Sequence, residues 1–184
     1  MFFATVISRV FEPLLIWLIA VSLAIGKSGL PAPRAMLLVS LMIALLLLVV
    51  LLLLRAIKTK RITGWDVSDR RERVQALAWF SVFVLIYLTL VYFLGNPFLF
   101  KMFLFYTAWF AGFFLITLFY KISGHVGMLT LVVGLMLREY GWRWWPVILT
   151  VPLLAWARVV RRNHTVGQVI AGFAYSLIIL FFYR

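Results

Sequence analysis

Residues 35–54, AMLLVSLMIALLLLVVLLLL, form an uncharged run that lies between Arg34 and Arg55. About 20 apolar residues in a helix are enough to span the hydrocarbon core of a bilayer. The rest of the chain has the same character, since 66% of its 184 residues are hydrophobic and only 12% are charged. A soluble domain has roughly 25% charged residues. The sequence therefore predicts an integral membrane protein and excludes a water-soluble fold.

Further apolar segments predict a bundle of transmembrane helices. Three of them are long, at residues 74–94, 102–120 and 165–183, and three are shorter, at residues 13–26, 122–137 and 144–157. The segment 13–26 can be extended backwards through Arg9 and Glu12, which lie three positions apart and can pair near the membrane surface. The sequence thus predicts an all-α, polytopic integral membrane helical bundle with six or seven transmembrane helices, forming one domain over residues 1–184.

The basic residues are distributed unevenly between the two sides of this predicted bundle. The chain has 18 Lys and Arg residues against 5 Asp and Glu residues, and its net charge is +13. If each segment crosses once, most of the basic residues fall on the side of the N-terminus, which the positive-inside rule places in the cytoplasm of a cell-membrane protein. In so apolar a chain, the positive charge favours anionic lipid over nucleic acid as the partner.

Both histidines of the chain, His125 and His164, fall on this basic side at the start of an apolar segment. Ser123 and Gly124 come directly before the first histidine, and a small N-cap with exposed backbone N–H groups suits an anion. Lys121 adds a positive charge nearby. One such histidine alone could simply contact a lipid headgroup, but the two contexts together indicate a functional site at the membrane edge.

The second histidine has a guanidinium before it and an amide after it. Arg158 precedes His164 by six positions and offers a planar fork that suits phosphate oxygens. Gln168 follows His164 by four positions, so in a helix that begins near His164 it would lie on the same face and could hold one imidazole nitrogen.

A third basic segment precedes residues 74–94. Asp69 and Glu72 show the spacing of a helix capping box. The arginines of this segment either anchor the following helix at the headgroups or bind phosphate; they are Arg70, Arg71 and Arg73.

These three segments resemble the signature motifs of the type 2 phosphatidic acid phosphatase superfamily, the lipid phosphate phosphatases. Ser123-Gly124-His125 is similar to the family's Pro-Ser-Gly-His, and Arg158-x5-His164 is similar to its Ser-Arg-x5-His-x3-Asp. The family's first motif, Lys-x6-Arg-Pro, would fall at residues 66–74 with Arg73 as its arginine. The chain departs from the family pattern at Asp66 (for Lys), Val74 and Ile122 (for Pro), Ala157 (for Ser) and Gln168 (for Asp).

The resemblance implies metal-free and cofactor-free hydrolysis of a lipid phosphate or prenyl diphosphate in two steps. His164 would attack phosphorus to form a phosphohistidine, and His125 would protonate the leaving oxygen. Gln168 would orient His164 in place of the family's aspartate. The oxygens of the transition state would be stabilised by Arg73, Arg158, Lys121, Ser123 and the Gly124 N–H.

Other classes of function stay open at this point. Gln168 and Ala157 would also suit a catalytically weak or inactive relative that binds anionic lipid or serves as a subunit of a membrane assembly. A transporter or channel is disfavoured, because the long segments contain no charge apart from Lys101 near one end, and no internal repeat is visible. A haem or metal site is disfavoured because neither histidine has acidic or cysteine companions, and the chain has no cysteine.

Overall fold

The computed structural model describes residues 1–65, 67 and 69–183, with Arg70 described by its backbone alone. These residues form eight α-helices and one 3₁₀ helix and contain no strand, which confirms the predicted all-α fold. The α-helices are α1 (Phe2–Val10), α2 (Pro13–Lys27), α3 (Ala32–Lys58), α4 (Arg70–Leu94), α5 (Pro97–Phe119), α6 (Gly124–Tyr140), α7 (Thr150–Val160) and α8 (Val166–Phe181). The 3₁₀ helix, Trp142–Leu149, lies between α6 and α7.

Four stretches of these described residues are long and apolar enough to cross a membrane: Phe2–Lys27, Ala32–Lys58, Arg71–Leu94 and Pro97–Phe119. Even the 23-residue stretch measures about 35 Å as a helix, against about 30 Å of hydrocarbon. The chain is therefore an integral membrane protein. The apolar helix α8 has 16 residues and measures only about 24 Å, so the total of six or seven crossings stays a prediction.

The predicted span at residues 144–157 is divided in the structure. The 3₁₀ helix Trp142–Leu149 has eight residues and α7 has eleven, so each piece measures only about 16 Å. Pro146 lies inside the 3₁₀ helix, and its ring would clash with the preceding turn of a regular α-helix. The segment that hydropathy treats as one helix therefore changes from 3₁₀ to α-helix between Leu149 and Thr150.

The first candidate span is interrupted between α1 and α2. Pro13 has no N–H to donate to the carbonyl of Arg9, and its ring crowds that carbonyl, so a regular helix cannot continue through it. The expected ion pair at this break is confirmed, with Arg9 Nη1 3.5 Å from Glu12 Oε2. The break leaves the Glu12 carboxylate at the junction of the two helices rather than along one helical face.

The chain divides into two compact units, residues 18–119 and residues 1–17 with 120–184. In the first unit α4 packs against α3 and α5. The Tyr87 hydroxyl donates to the carbonyl of Leu38 at 3.0 Å. Gly95 and Asn96 separate α4 from α5. The Asn96 side chain accepts the Leu99 N–H at 3.0 Å and donates to the Ser28 carbonyl at 2.7 Å.

The predicted capping box at the start of α4 forms only in part. Asp69 is the N-cap, and its carboxylate accepts the N–H groups of Arg71 and Glu72 at 2.8 and 3.2 Å. Glu72 Oε2 instead accepts both the amide and the hydroxyl of Thr63, at 3.0 and 2.9 Å. The carboxylate therefore fastens the preceding loop to the helix.

In the second unit α6 packs along α8, and side-chain and backbone contacts join the two helices at both ends. Near the start of α6, a Cβ added to Gly172 would lie 2.5 Å from the Ser123 carbonyl oxygen. The Ser176 hydroxyl donates to the Gly127 carbonyl at 2.7 Å. At the far end of α6 the Tyr183 hydroxyl donates to Glu139 Oε1 at 2.9 Å. This helix pair positions the N-terminus of α6 beside the start of α8.

Candidate functional site

Arg158 is the central side chain of the candidate site. It lies in the last turn of α7 and is 3% exposed. Its Nη1 donates to Ser8 Oγ at 2.8 Å and lies 3.4 Å from His125 Nε2. Its backbone carbonyl accepts the His164 N–H at 3.3 Å. A buried guanidinium is costly unless it is hydrogen-bonded, so this residue fixes α1, α6 and the His164 segment relative to one another.

The turn after α7 explains why His164 returns to Arg158. The N–H of Arg162 donates to the Val159 carbonyl at 2.9 Å, and the N–H of Asn163 donates to the Arg158 carbonyl at 3.1 Å. This pair of bonds is the Schellman motif, which needs a left-handed residue after the helix. Arg162 supplies it at φ 55°, although such a backbone costs an L-residue about 1 kcal/mol or more. The chain thus reverses immediately before His164.

His164 is buried, with 5% of the residue exposed, and its imidazole contacts Gln168, with Nδ1 3.1 Å from Oε1. The same oxygen accepts the Thr165 N–H at 3.3 Å, and the Gln168 N–H donates back to Thr165 Oγ1 at 3.3 Å. This is a complete capping box. The helix α8 begins at Val166 rather than near His164, so the expected contact forms across the helix cap and not along a helical face.

This contact also fixes the tautomer of His164. An amide oxygen accepts hydrogen bonds and cannot donate them, so the proton of the neutral imidazole lies on Nδ1. Its other nitrogen, Nε2, therefore holds the lone pair. A nucleophilic histidine needs this arrangement.

Ser123 and Gly124 form the N-terminus of α6. Ser123 is fully buried, and its hydroxyl accepts the Val126 N–H at 3.5 Å while its own N–H donates to the Gln168 carbonyl at 3.0 Å. Gly124 is the first residue of the helix, where backbone N–H groups lack intrahelical acceptors and favour an anion. Lys121 is half-buried in the segment that leads into Ser123.

Two further residues, which the sequence analysis did not place in the site, come from the N-terminal helix region. Glu12 Oε1 lies 3.8 Å from His125 Nε2, and the two side chains are only 16% and 13% exposed. Ser8 Oγ accepts from both Arg158 Nη1 and Arg161 Nη1 at 2.8 Å. An acidic residue within an apolar run is itself a functional signal, and Glu12 could have been found from it. Nothing in the sequence around Ser8 marks it.

The sequence analysis also did not predict the close packing of α8 on α6. Gly172 and Ser176 show the small-xxx-small spacing that lets membrane helices approach closely. This spacing was visible in the sequence, and it places the start of α8, with Gln168, against Ser123.

Arg73, the arginine of the first family motif, belongs to the unit of residues 18–119. Its Nε and Nη2 donate to the Val67 carbonyl at 3.3 and 3.0 Å. Asp66, at the position of the family's lysine, lies outside the described residues. The second unit brings together five of the predicted site residues, namely Ser123, His125, Arg158, His164 and Gln168, and a phosphate-binding role for Arg73 stays a prediction.

Within the parts of the chain that the structure describes, no three His, Asp or Glu side chains form a group able to hold a metal ion. Comparisons with protein-family models, curated proteins and solved structures find no match. The resemblance to the lipid phosphate phosphatases therefore depends on the sequence motifs alone.

Proposed function

We propose that this chain is a metal-independent integral-membrane phosphatase that hydrolyses a lipid phosphate or prenyl diphosphate through a phosphohistidine. The observation that carries the proposal is the position of Arg158. The buried guanidinium of Arg158 contacts the ring of His125, and the backbone carbonyl of Arg158 accepts the His164 N–H. A phosphohistidine mechanism requires a nucleophilic histidine, an acid for the leaving oxygen and a cation for the phosphate oxygens.

In the first step, Nε2 of His164 attacks phosphorus while the bond from phosphorus to the leaving oxygen breaks. His125 gives its proton to that oxygen, so the lipid leaves as an alcohol, or as a monophosphate when the substrate is a diphosphate. Arg158 stabilises the charge on the equatorial oxygens.

In the second step, water attacks the phosphohistidine and loses its proton to His125. The P–N bond breaks, which releases inorganic phosphate and restores His164 with its lone pair on Nε2. Gln168 holds the Nδ1 proton throughout both steps, because its Oε1 accepts from that nitrogen. The phosphate-binding roles of Arg73, Lys121, Ser123 and the Gly124 N–H are part of the same proposal.

A lipid substrate suits this protein because the apolar helices hold the protein in the bilayer, where such a substrate is dissolved. A lipid tail stays among those helices while its phosphate reaches the basic loops at the membrane edge. The positive-inside rule supports a cell-membrane protein whose active-site loops lie in the cytoplasm.

A second candidate is a catalytically weak or inactive relative that binds anionic lipid or serves as a subunit of a membrane assembly. Its support is that the basic groups already have internal partners: Arg158 and Arg161 share Ser8, and His125 lies beside Glu12. Gln168 also lacks the charge that would stabilise an imidazolium.

Phosphate release decides between the two candidates. Purified protein in detergent is supplied with prenyl diphosphates, prenyl phosphates and phosphatidate in the presence of a chelator. We expect release of inorganic phosphate, its loss in His164→Ala, and little change in the control Arg143→Ala, whose arginine lies beyond the far end of α6. Release that is unchanged in His164→Ala contradicts the proposal, as does no release from any lipid. Lipid binding that survives loss of both histidines supports the second candidate.

His125→Ala tests the assignment of the two roles. Without the acid, an alkyl leaving group departs slowly, whereas an aryl phosphate with a good leaving group needs no proton. We expect this variant to lose about 10²–10⁴ in rate on lipid substrates but to form a phosphohistidine with the aryl phosphate. That intermediate is detected as acid-labile, base-stable labelled phosphate on the protein. Label that forms equally well in His164→Ala contradicts the role of His164 as nucleophile.

A further inference from the structure

We propose that Glu12 is a positioning residue that holds His125 in the protonated form that it needs as the acid. This inference rests on the proposed function and deepens it. The observation that supports it is the distance of 3.8 Å between Glu12 Oε1 and His125 Nε2. Glu12 lies just after the end of α1. Both side chains are largely shielded from solvent, so their interaction is screened less than that of a surface pair.

The ring of His125 lies between an anion and a cation. Glu12 favours the protonated imidazole because opposite charges attract. Arg158 Nη1, 3.4 Å from the same nitrogen, disfavours the charged ring but can donate a hydrogen bond to the neutral one. The two neighbours therefore stabilise different protonation states of His125. Glu12 stabilises the protonated ring before it gives up its proton, and Arg158 stabilises the neutral ring afterwards.

The other charged groups around His125 do not replace Glu12. The helix α8, which packs against α6, contains no Asp, Glu, Lys, Arg or His, and its one titratable residue is Tyr175. The 3₁₀ helix contributes Arg143, which lies beyond the far end of α6. Lys121 and His164 supply no negative charge. Glu12 is thus the carboxylate that the described contacts place beside this ring.

The position of Glu12 is itself fixed by the fold. Pro13 interrupts the helix at this point, and Arg9 Nη1 pairs with the second oxygen of the carboxylate, Oε2, at 3.5 Å. That pairing leaves Oε1 directed at His125. Ser8, one turn earlier, holds the Arg158 guanidinium at 2.8 Å. One short segment therefore positions both neighbours of His125.

The proposal predicts how His125 titrates when Glu12 loses its charge. Because the chain has two histidines, the variant His164→Asn leaves His125 as the single imidazole, which histidine-selective ¹⁵N NMR of the full chain in detergent can follow. Glu12→Gln removes the negative charge and keeps the Arg158 guanidinium 3.4 Å from the ring, so we expect His125 to lose its proton at lower pH. Glu12→Asp should restore part of the difference. The matched control is Glu139→Gln, which removes a carboxylate at the opposite end of α6 and should leave the titration unchanged.

The pH–rate profile of phosphate release gives the second measurement, with His164 intact. We expect the limb that reports loss of the acid's proton to move to lower pH in Glu12→Gln, with a fall in kcat of about tenfold at neutral pH and a smaller change in KM. A merely structural role would lower activity at every pH without moving that limb.

The outcomes separate this inference from the proposed function. An unchanged titration of His125 in Glu12→Gln overturns the inference, whatever the activity. A shifted titration with an unmoved pH–rate limb also overturns it but leaves the phosphatase in place. Wild-type protein that releases no phosphate overturns the proposed function and the positioning role together. Higher activity in Glu12→Gln would also refute the inference, because the carboxylate would then be obstructing the site.

Discussion

Gln168 holds His164 by its ring: Oε1 lies 3.1 Å from Nδ1 and accepts the Thr165 N–H at the same time. Its second hydrogen bond prevents the amide from presenting its NH₂ group to the imidazole, so the tautomer of His164 is set by the cap of α8. The amide provides orientation without charge. An imidazolium formed at His164 therefore has no negative partner in this contact.

Gln168→Glu should raise the rate of phosphate release. Glutamate has the same length, is favourable in the third position of a capping box, and adds the missing negative charge. In a serine-protease triad, replacing the carboxylate by an amide lowers kcat about 10⁴-fold. We expect the reverse change here to raise kcat about tenfold or more. Gln168→Leu, which removes the acceptor, should lower kcat by at least about a hundredfold. Initial rates on one lipid phosphate measure both, and a Glu variant slower than wild type would contradict the prediction.

Gly172→Ala should loosen the α6–α8 pair. The added Cβ would lie 2.5 Å from the Ser123 carbonyl oxygen, and the backbone cannot yield as a flexible side chain can. Overpacking of this kind costs about 1–3 kcal/mol, which should lower the Tm in detergent. The matched control is Gly167→Ala on the same helix, where the nearest atom would lie at 3.6 Å. Alanine there should be neutral or stabilising by up to about 1 kcal/mol, and equal losses in the two variants would refute the packing argument.

Much of the fold followed from the sequence because hydropathy is a property of whole segments. The run at residues 35–54 lies within α3, and the turn signal at Gly95-Asn96-Pro97 separates α4 from α5. Hydropathy did not reveal where the backbone breaks. The break at Pro13 and the change of helix type near Pro146 depend on proline chemistry within apolar residues, and the crossing at 144–157 stays a prediction.

The candidate site was only partly predictable. The motifs around Ser123, Arg158 and His164 could be read because each is local in sequence. Ser8 and Glu12 reach the site through long-range packing, 150 positions from Arg158 for Ser8. Such a contact leaves no local pattern, and only the charge of Glu12 within an apolar run distinguished that residue.

Arg162→Gly should stabilise the protein. Arg162 has φ 55° at the end of α7, and glycine adopts this conformation without the steric penalty of a Cβ. We expect a gain of about 1 kcal/mol, visible as a higher Tm. Lys60→Gly should give a similar gain, because Lys60 has φ 57° in the same kind of turn after α3. Lys58→Gly, within the helix α3, should instead lower the Tm, since glycine is a poor helix former. A fall in Tm for Arg162→Gly would contradict the strain argument.

Thr165→Ala separates the stability of the α8 cap from the orientation of His164. The variant removes the hydroxyl that accepts the Gln168 N–H at 3.3 Å but keeps the backbone N–H that donates to Gln168 Oε1. Loss of a threonine N-cap costs about 1 kcal/mol, so the Tm should fall by a few degrees. The remaining bond still directs Oε1 at His164, so kcat should fall by less than about threefold. Thermal unfolding and initial rates on the same preparations check both. If kcat in Thr165→Ala falls as far as in Gln168→Leu, the threonine hydroxyl and not the backbone amide orients the glutamine, and the assignment of the tautomer to Gln168 alone is wrong.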